Sequence, residues 1–153
     1  MTVSRFSIEV ITLPVSDVDR ALEFYLHKVG FKLDVDYVPN DAFRVVQLTP
    51  PGSNCSIQIG KGLTGAAAGS VRNVYLVVTD LEAARHRLLE RGVEVSEIRH
   101  KTPFETWGGS FAPGLDDIRR DYASFADFSD PDGNTWLLQE RGYRNASNSA
   151  EPL

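Results

Sequence analysis

The stretch LPVSDVDRALEF, residues 13–24, recurs as LVVTDLEAARHR, residues 76–87, and this repeat decides the fold. The two copies are 63 residues apart, since Leu13 aligns with Leu76. Three further identities follow at the same offset: Val15 with Val78, Asp17 with Asp80, and Ala21 with Ala84. Self-similarity at one fixed offset indicates two copies of a single supersecondary unit.

Each copy begins with a strand. Apolar residues alternate with other residues in SIEVITLPV, residues 7–15, and in VRNVYLVV, residues 71–78. This period of two is typical of a strand that packs one face against another element. The sequence therefore predicts a strand immediately before each of the two helices.

Each strand is followed by a helix with a predicted start and end. Ser16 and Asp19 have the three-residue spacing of a capping box. Thr79 and Glu82 have the same spacing at the start of the second helix. Apolar residues then recur every three or four positions, as on the buried side of a helix. A glycine closes each pattern, Gly30 in the first copy and Gly92 in the second.

Three strands are predicted after each helix, which completes a strand–helix–three-strand module. Module 1 spans about residues 5–62 and module 2 about residues 70–141, within a single domain of residues 1–153. The predicted strands are FKLDVDYVP, AFRVVQLTP and CSIQIG in the first module, and VEVSEIRH, YASFADFS and TWLLQE in the second. The fold class is therefore α+β.

The second module differs from the first by an insertion, residues 101–120, and is followed by a tail, residues 142–153. The insertion is too long for a simple hairpin connection and contains Phe104, Trp107 and Phe111, which are costly to leave in water. We predict a lid over a binding site, the alternative being a plain surface loop. The tail is predicted to be flexible.

Composition excludes several classes of function. The chain has 153 residues and a net charge of −5, whereas nucleic-acid binders carry a clustered basic face. No apolar run approaches the ~20 residues that cross a bilayer, and the N-terminus lacks the pattern of a secretory signal. Cys55 is the single cysteine, so an internal disulfide is excluded. We expect a cytoplasmic protein whose partner is a small molecule.

Three segments resemble the signature segments of the glyoxalase, bleomycin-resistance and extradiol dioxygenase proteins, the vicinal oxygen chelate superfamily. They are LPVSDVDRALEFYLHKVGF, LVVTDLEAARHRLLERGV and FSDPDGNTWLLQE, and the similarity spans about residues 7–140. The resemblance implies two tandem βαβββ modules whose curved mixed sheets enclose a central cavity. It also implies that the chain forms a homodimer.

The resemblance implies, in metal-using members, four strand positions that bind one divalent cation. They fall here on Val10, Gln58, Asn73 and Leu137. Two of these side chains are aliphatic and two are neutral amides, whereas zinc, iron, nickel and manganese sites require imidazole or anionic donors. We therefore predict that the chain has no metal and no other cofactor.

Residues that line the cavity are predicted from strand alternation. The candidate ligand-binding residues are Gln58, Asn73, Tyr75, Trp107 and Gln139. Apolar surface with a few amide and phenol groups suits an uncharged or aromatic organic ligand. The alternative is a packed core in which Gln58 and Asn73 satisfy each other or the sheet backbone.

Two functions remain open at this point. The first is binding of a small organic molecule without metal chemistry, for sequestration or resistance. The second is a lyase, isomerase or dioxygenase that uses a displaced metal or metal-free acid–base catalysis. For the second function His100 and Glu105 are weak catalytic candidates, since both can instead be surface residues. The sequence alone does not decide whether the chain is an enzyme.

Overall fold

The computed structural model describes residues 3–149, with side chains as far as residue 146. The chain divides into two compact units. Unit 1 comprises the residues up to Val71 together with Asp130–Asn134, and unit 2 comprises Arg72–Ser129 together with the residues from Thr135 onward. Each unit contains one β-sheet with helices, which confirms the predicted α+β fold class.

Unit 1 has the predicted order of one strand, one helix and three strands. Strand β1 lies parallel to β4, and the order across the sheet is β1-β4-β3-β2. The elements are β1 (Val10–Thr12), α1 (Val18–Glu23) with a π-helical continuation (Phe24–Val29), β2 (Lys32–Asn40), β3 (Phe43–Thr49) and β4 (Ser56–Lys61). Gly30 ends the helix with a φ of 93°, as its position predicted.

Unit 2 repeats this topology and adds one strand. Strand β5 lies parallel to β9, and the order across the sheet is β5-β9-β8-β6-β7. The elements are β5 (Val74–Val78), α2 (Leu81–Glu90), β6 (Arg99–Lys101), β7 (Phe111–Pro113), β8 (Ser124–Ser129), β9 (Thr135–Glu140) and α3 (Tyr143–Ser149). The additional strand β7 comes from the segment 101–120 and pairs with β6.

Two details of the second half differ from the sequence-based expectation. The predicted strand 93–100 is regular only from Arg99, preceded by a single bridge between Val95 and Phe128. Within the predicted tail 142–153, Tyr143–Ser149 is helical, and residues 150–153 lie outside the described part of the chain. None of the helices in residues 3–149 has the length and apolar character needed to cross a bilayer.

The helix caps were predicted one residue too early. Asp17 caps α1 by accepting a hydrogen bond from the Arg20 backbone N–H at 3.1 Å, and Asp80 caps α2 through the Ala83 N–H at 3.0 Å. Both aspartates have extended backbones, with φ/ψ of −133°/107° and −136°/101°, which aim the carboxylate at the first turn. Ser16 instead donates its hydroxyl hydrogen to Asp132 at 2.5 Å.

The same register appears in both sheets. Thr12 of β1 lies opposite Gln58 of β4, and Tyr75 of β5 lies opposite Leu137 of β9. Thr12 and Tyr75 are also equivalent at the 63-residue offset of the repeat. The duplication read from the sequence therefore extends to the pairing of individual residues.

One face of each sheet is buried and packs against a helix. Helix α1 packs against β4, and α2 packs against β8 and β9. The buried residues on these faces are Val46, Leu48, Ile57 and Ile59 in unit 1, and Ala126, Phe128, Trp136 and Leu138 in unit 2. Side chains alternate along a strand, so the residues between them point to the other side. We call that other side the open face of each unit.

Candidate functional site

The open face of unit 1 carries polar side chains on neighbouring strands. Gln58 donates a hydrogen bond from its amide to the Thr12 hydroxyl at 2.7 Å. Gln47 of β3 lies directly opposite Gln58 in the sheet. Within the described part of the chain the Gln47 amide has no hydrogen-bond partner, so it is available to a ligand.

The same face continues toward the ends of the strands. The hydroxyls of Thr49 and Ser56 lie 2.6 Å apart, and Thr49 also donates to the Asp34 carboxylate. Val10 lies beside Ser56 in the register of β1 and β4. Unit 1 thus offers a mixed surface of amides, hydroxyls and aliphatic side chains.

The open face of unit 2 is more apolar and more aromatic. Tyr75 and Val77 of β5 are 57% and 44% exposed, whereas Leu137 and Gln139 of β9 are 8% exposed. Phe125 of β8 lies opposite Gln139 and is also buried. The face therefore has a buried centre of Phe125, Leu137 and Gln139 flanked by the exposed phenol of Tyr75.

An aromatic cluster, consisting of Trp107, Phe111 and Phe125, extends this face toward β7. The ring centroids of Trp107 and Phe111 are 5.5 Å apart, and those of Phe111 and Phe125 are 5.7 Å apart, both in edge-on geometry. The Trp107 indole N–H donates to the Ser110 carbonyl at 2.6 Å, which fixes the orientation of the ring. Trp107 and Phe111 remain 38% and 41% exposed.

Two basic side chains lie against the aromatic cluster. The Arg99 guanidinium is 5.1 Å from the Phe111 ring centroid, and the Lys101 ammonium is 4.5 Å from the Trp107 centroid and 5.5 Å from that of Phe125. These distances are within the range of cation–π attraction. Arg99 and Lys101 lie on the same face because they are two positions apart on β6.

Arg99 also has an acidic partner. Its guanidinium donates to the Asp127 carboxylate at 2.7 Å. Burial alone raises the pKa of Asp127, but the hydrogen bonds from Arg99 and Ser96 outweigh burial and hold that pKa below its ordinary value. Asp127 is therefore a negative charge that neutralises Arg99 on this face.

The predicted ligand-binding residues are distributed over both units. Gln58 lies on the open face of unit 1, and Tyr75, Trp107 and Gln139 lie on the open face of unit 2. The Gln139 amide donates to the Tyr122 carbonyl at 3.3 Å, so one of its donors is satisfied within its own unit.

Asn73 lies just before β5 rather than within it. It has a positive φ of 57°, and its backbone N–H donates to the Thr135 hydroxyl at 2.7 Å. Asparagine is among the residues that adopt this left-handed conformation most readily. The exposed side chain of Asn73 therefore lies in the irregular segment before β5, whereas strand alternation had placed it on a strand.

The two weak catalytic candidates do not lie together. His100 lies opposite Ser124, on the face away from Arg99 and Lys101, and its Nδ1 atom is 2.8 Å from the Gly114 carbonyl oxygen. Glu105 is exposed and lies 3.8 Å from the Arg120 guanidinium. The structure therefore does not join these two residues into an acid–base pair.

The four positions at which the resemblance implies metal ligands do not fit a divalent cation. Val10 and Leu137 offer no donor atom, and Gln58 offers only a neutral amide oxygen. Asn73 has a neutral amide, a weak ligand for transition metals. Among the described residues, no group of three or more His, Cys, Asp or Glu side chains is placed to hold a metal ion.

Sequence analysis did not include Arg99, Lys101, Phe125 and Asp127 in the candidate site. The segments R-H-K, residues 99–101, and F-A-D, residues 125–127, are visible in the sequence, and in each the first and third residues lie on one face of a strand. Recognising that these residues lie together would require knowing that β6 and β8 are neighbours and that Arg99 lies opposite Phe125.

Comparison with known families identifies the class of protein. The chain belongs to the glyoxalase/bleomycin resistance protein/dioxygenase superfamily, whose family model matches residues 7–138. This confirms the resemblance carried by the repeat and by the DPDGN turn. A comparison with curated proteins gives no significant match.

Several solved structures are similar over nearly the whole chain. TnmS3, an antibiotic binding protein from Streptomyces sp. CB03234, is 31% identical with a TM-score of 0.66, covering 92% of this chain and 98% of that chain. A glyoxalase/bleomycin resistance protein from the same organism is 31% identical with a TM-score of 0.65, covering 88% and 100%. A superfamily member from Sphaerobacter thermophilus DSM 20745 is 27% identical with a TM-score of 0.66, covering 90% and 98%.

Proposed function

We propose that the chain binds a small organic molecule without using a metal ion, and that it serves sequestration or resistance in the cytoplasm. The observation that carries this proposal is the donor set at the four expected ligand positions, two aliphatic side chains and two neutral amides. The similarity to TnmS3, which is described as an antibiotic binding protein, supports a binding role.

The chemistry of the open faces supports the same function. A ligand that covers the aromatic and aliphatic side chains on the open face of unit 2 lowers the free energy by roughly 25 cal/mol per Å² of apolar surface removed from water. On the open face of unit 1, amides such as Gln47 and Gln58 offer hydrogen bonds that would orient a ligand bound to that face. Each open face, taken by itself, therefore supports binding of a small organic molecule.

The catalytic alternative, a lyase, isomerase or dioxygenase, lacks comparable support. His100 and Glu105 have separate partners, the Gly114 carbonyl and the Arg120 guanidinium. General acid–base catalysis requires groups within hydrogen-bond reach of one substrate. No observation on the described residues favours that arrangement for this pair.

Thermal stabilisation by a panel of small molecules, with and without divalent cations, tests the proposal. A ligand that binds only the native state raises the unfolding midpoint. We expect stabilisation that is the same in chelator and in divalent cation, that is lost in Gln58→Leu, and that is unchanged in His100→Gln and Glu105→Gln. Stabilisation that requires a cation, or that is abolished by either of the last two substitutions, would favour catalysis.

We also propose that two copies of the chain associate. Val3, Phe6 and Ile8 precede β1 and are 81%, 94% and 70% exposed, and Tyr37 and Val38 on the edge strand β2 are 57% and 56% exposed. Apolar side chains and an unpaired strand edge are commonly covered by a second chain.

Light scattering after gel filtration tests the association. We expect a dimer for the wild type and a shift toward monomer when Phe6 and Ile8 are both replaced by serine. A wild-type chain that remains monomeric at high micromolar concentration would contradict the proposal.

A further inference from the structure

Lys101 lies on the open face of unit 2 and has no part in the function proposed above. Its ammonium group lies 4.5 Å from the ring centroid of Trp107 and 5.5 Å from that of Phe125. Within the described residues this ammonium has neither a carboxylate partner nor a hydrogen bond. Lys101 is therefore a positive charge beside aromatic surface, and no side chain in the described part of the chain serves as its counter-ion.

The acidic groups that could neutralise Lys101 are engaged elsewhere. Asp127, on the same face, accepts a hydrogen bond from Arg99 at 2.7 Å. Of the acids nearest in sequence, Glu97 lies 3.4 Å from Arg85, and Glu105 lies 3.8 Å from Arg120. Arg99 and Asp127 cancel, so Lys101 leaves this face with a net positive charge.

The positive charge of this face is opposite in sign to the net charge of the chain, which is −5. An ammonium group that loses water beside apolar rings regains only part of its hydration energy through cation–π contacts. A ligand that covered the aromatic cluster would remove more of that water. Such a ligand binds best if it brings its own negative charge to Lys101.

Resting on the proposed binding function, we propose that the ligand is a planar aromatic acid. Its carboxylate, sulfonate or ionised phenol binds Lys101, and its rings contact Trp107, Phe111 and Phe125. This differs in charge from the ligand expected from the sequence, which was uncharged or aromatic. The sequence-based expectation did not include Lys101 among the site residues.

Two dyes that differ only in their acidic group test this assignment. Anilinonaphthalene sulfonate is an aromatic anion, and N-phenylnaphthylamine is the same ring system without the sulfonate. Binding is measured by the quenching of Trp107 fluorescence, which is isolated by subtracting the signal of Trp107→Phe. The variants are Lys101→Met, which keeps the aliphatic stem, and Lys101→Arg, which keeps the charge. Lys28→Met, on the exposed end of the first helix, is the matched control for loss of one positive charge.

We expect Lys101→Met to weaken binding of the sulfonate dye by about tenfold or more, since hydrogen bonds to charged groups have roughly that effect. Binding of the neutral dye should change by less than about twofold, because apolar burial is retained. Lys101→Arg should retain most of the affinity for the sulfonate dye, and Lys28→Met should affect neither dye. Added salt should weaken the sulfonate dye more than the neutral dye.

The remaining outcomes overturn the assignment in distinguishable ways. If both dyes bind and Lys101→Met changes neither of them, or changes both equally, the ligand charge is wrong and the binding function stands. The same conclusion follows if Lys28→Met weakens the sulfonate dye as much as Lys101→Met does. If neither dye quenches Trp107 in the wild type, the face does not bind aromatic molecules, and both the assignment and the proposed function of this face fail.

Discussion

Replacing Asp130 tests whether the DPDGN turn is a structural element rather than part of the chemistry. Asp130 is 5% exposed. Its Oδ1 accepts hydrogen bonds from the backbone N–H groups of Asp132, Gly133 and Asn134 at 2.9–3.0 Å. Its Oδ2 accepts from the Tyr25 hydroxyl at 2.7 Å and from the Asn134 amide at 2.8 Å. Every one of these donors belongs to unit 1.

The expected loss of stability follows from the donors that would be left unpaired. In Asp130→Ala the Tyr25 hydroxyl and the Asn134 amide lose their acceptor in a buried place, and each such loss costs about 1–3 kcal/mol. We therefore expect Asp130→Ala to lower the free energy of unfolding by about 4 kcal/mol. Tyr25→Phe removes one donor and leaves the other bonded, so about 1 kcal/mol is expected.

Urea denaturation at constant pH measures both losses, with linear extrapolation to water. The double variant with Tyr25→Phe and Asp130→Ala should lose less than the sum of the two single losses, because both remove the same hydrogen bond. Asp130→Ala should still bind the ligand when binding is measured under conditions in which the variant remains folded. A loss smaller than about 1 kcal/mol in Asp130→Ala, or a strictly additive double variant, would refute the reasoning.

Gly69→Ala should destabilise the chain by about 2–3 kcal/mol. Gly69 has a φ of 78°, and an added Cβ would clash with the Asp132 carbonyl oxygen. An unchanged midpoint of urea unfolding would contradict this prediction. Arg119→Met should lower the free energy of unfolding by about 3–5 kcal/mol. The fully buried Glu140 carboxylate would lose its hydrogen bonds from Arg119, which are 2.8 and 2.5 Å long. A melting temperature within error of the wild type would contradict this prediction. The pKa of Asp127 is lowered in the folded state, so its contribution to stability is present above the unfolded value near 3.9 and is lost as pH falls through the folded value. Asp127→Asn should therefore lose less stability than the wild type between about pH 5 and pH 3, and parallel pH profiles would refute this.

The architecture could be predicted because the sequence contains the same unit twice. The 63-residue offset aligned the first strand and helix of each half, and the structure reproduces it in Thr12 and Tyr75, which lie opposite Gln58 and Leu137 in equivalent parallel strand pairs. The caps were predicted one residue early, because Ser16 and Asp17 are both good capping residues and the backbone angles decide between them. Strand β7 could not be predicted, since its pairing with β6 depends on how the segment 101–120 turns back.

The candidate site was predicted less completely than the fold. Strand alternation placed Gln58, Tyr75 and Gln139 on strands, and they lie on β4, β5 and β9, while their part in ligand binding stays a prediction. Lys101 was missed because it lies at the boundary between the predicted strand, residues 93–100, and the predicted insertion, residues 101–120. Its proposed role depends on the rings of Trp107 and Phe125, which are brought beside it by tertiary contacts that have no local signal in the sequence.

The metal content of the purified protein is the most direct test of the central claim, which is binding without metal chemistry. The protein is purified without chelators, dialysed against metal-free buffer and analysed for zinc, iron, nickel and manganese by mass spectrometry. Val10, Gln58, Asn73 and Leu137 provide no imidazole, thiolate or carboxylate donor, so the account predicts far less than one metal ion per chain. A stoichiometric metal ion that survives dialysis would contradict it.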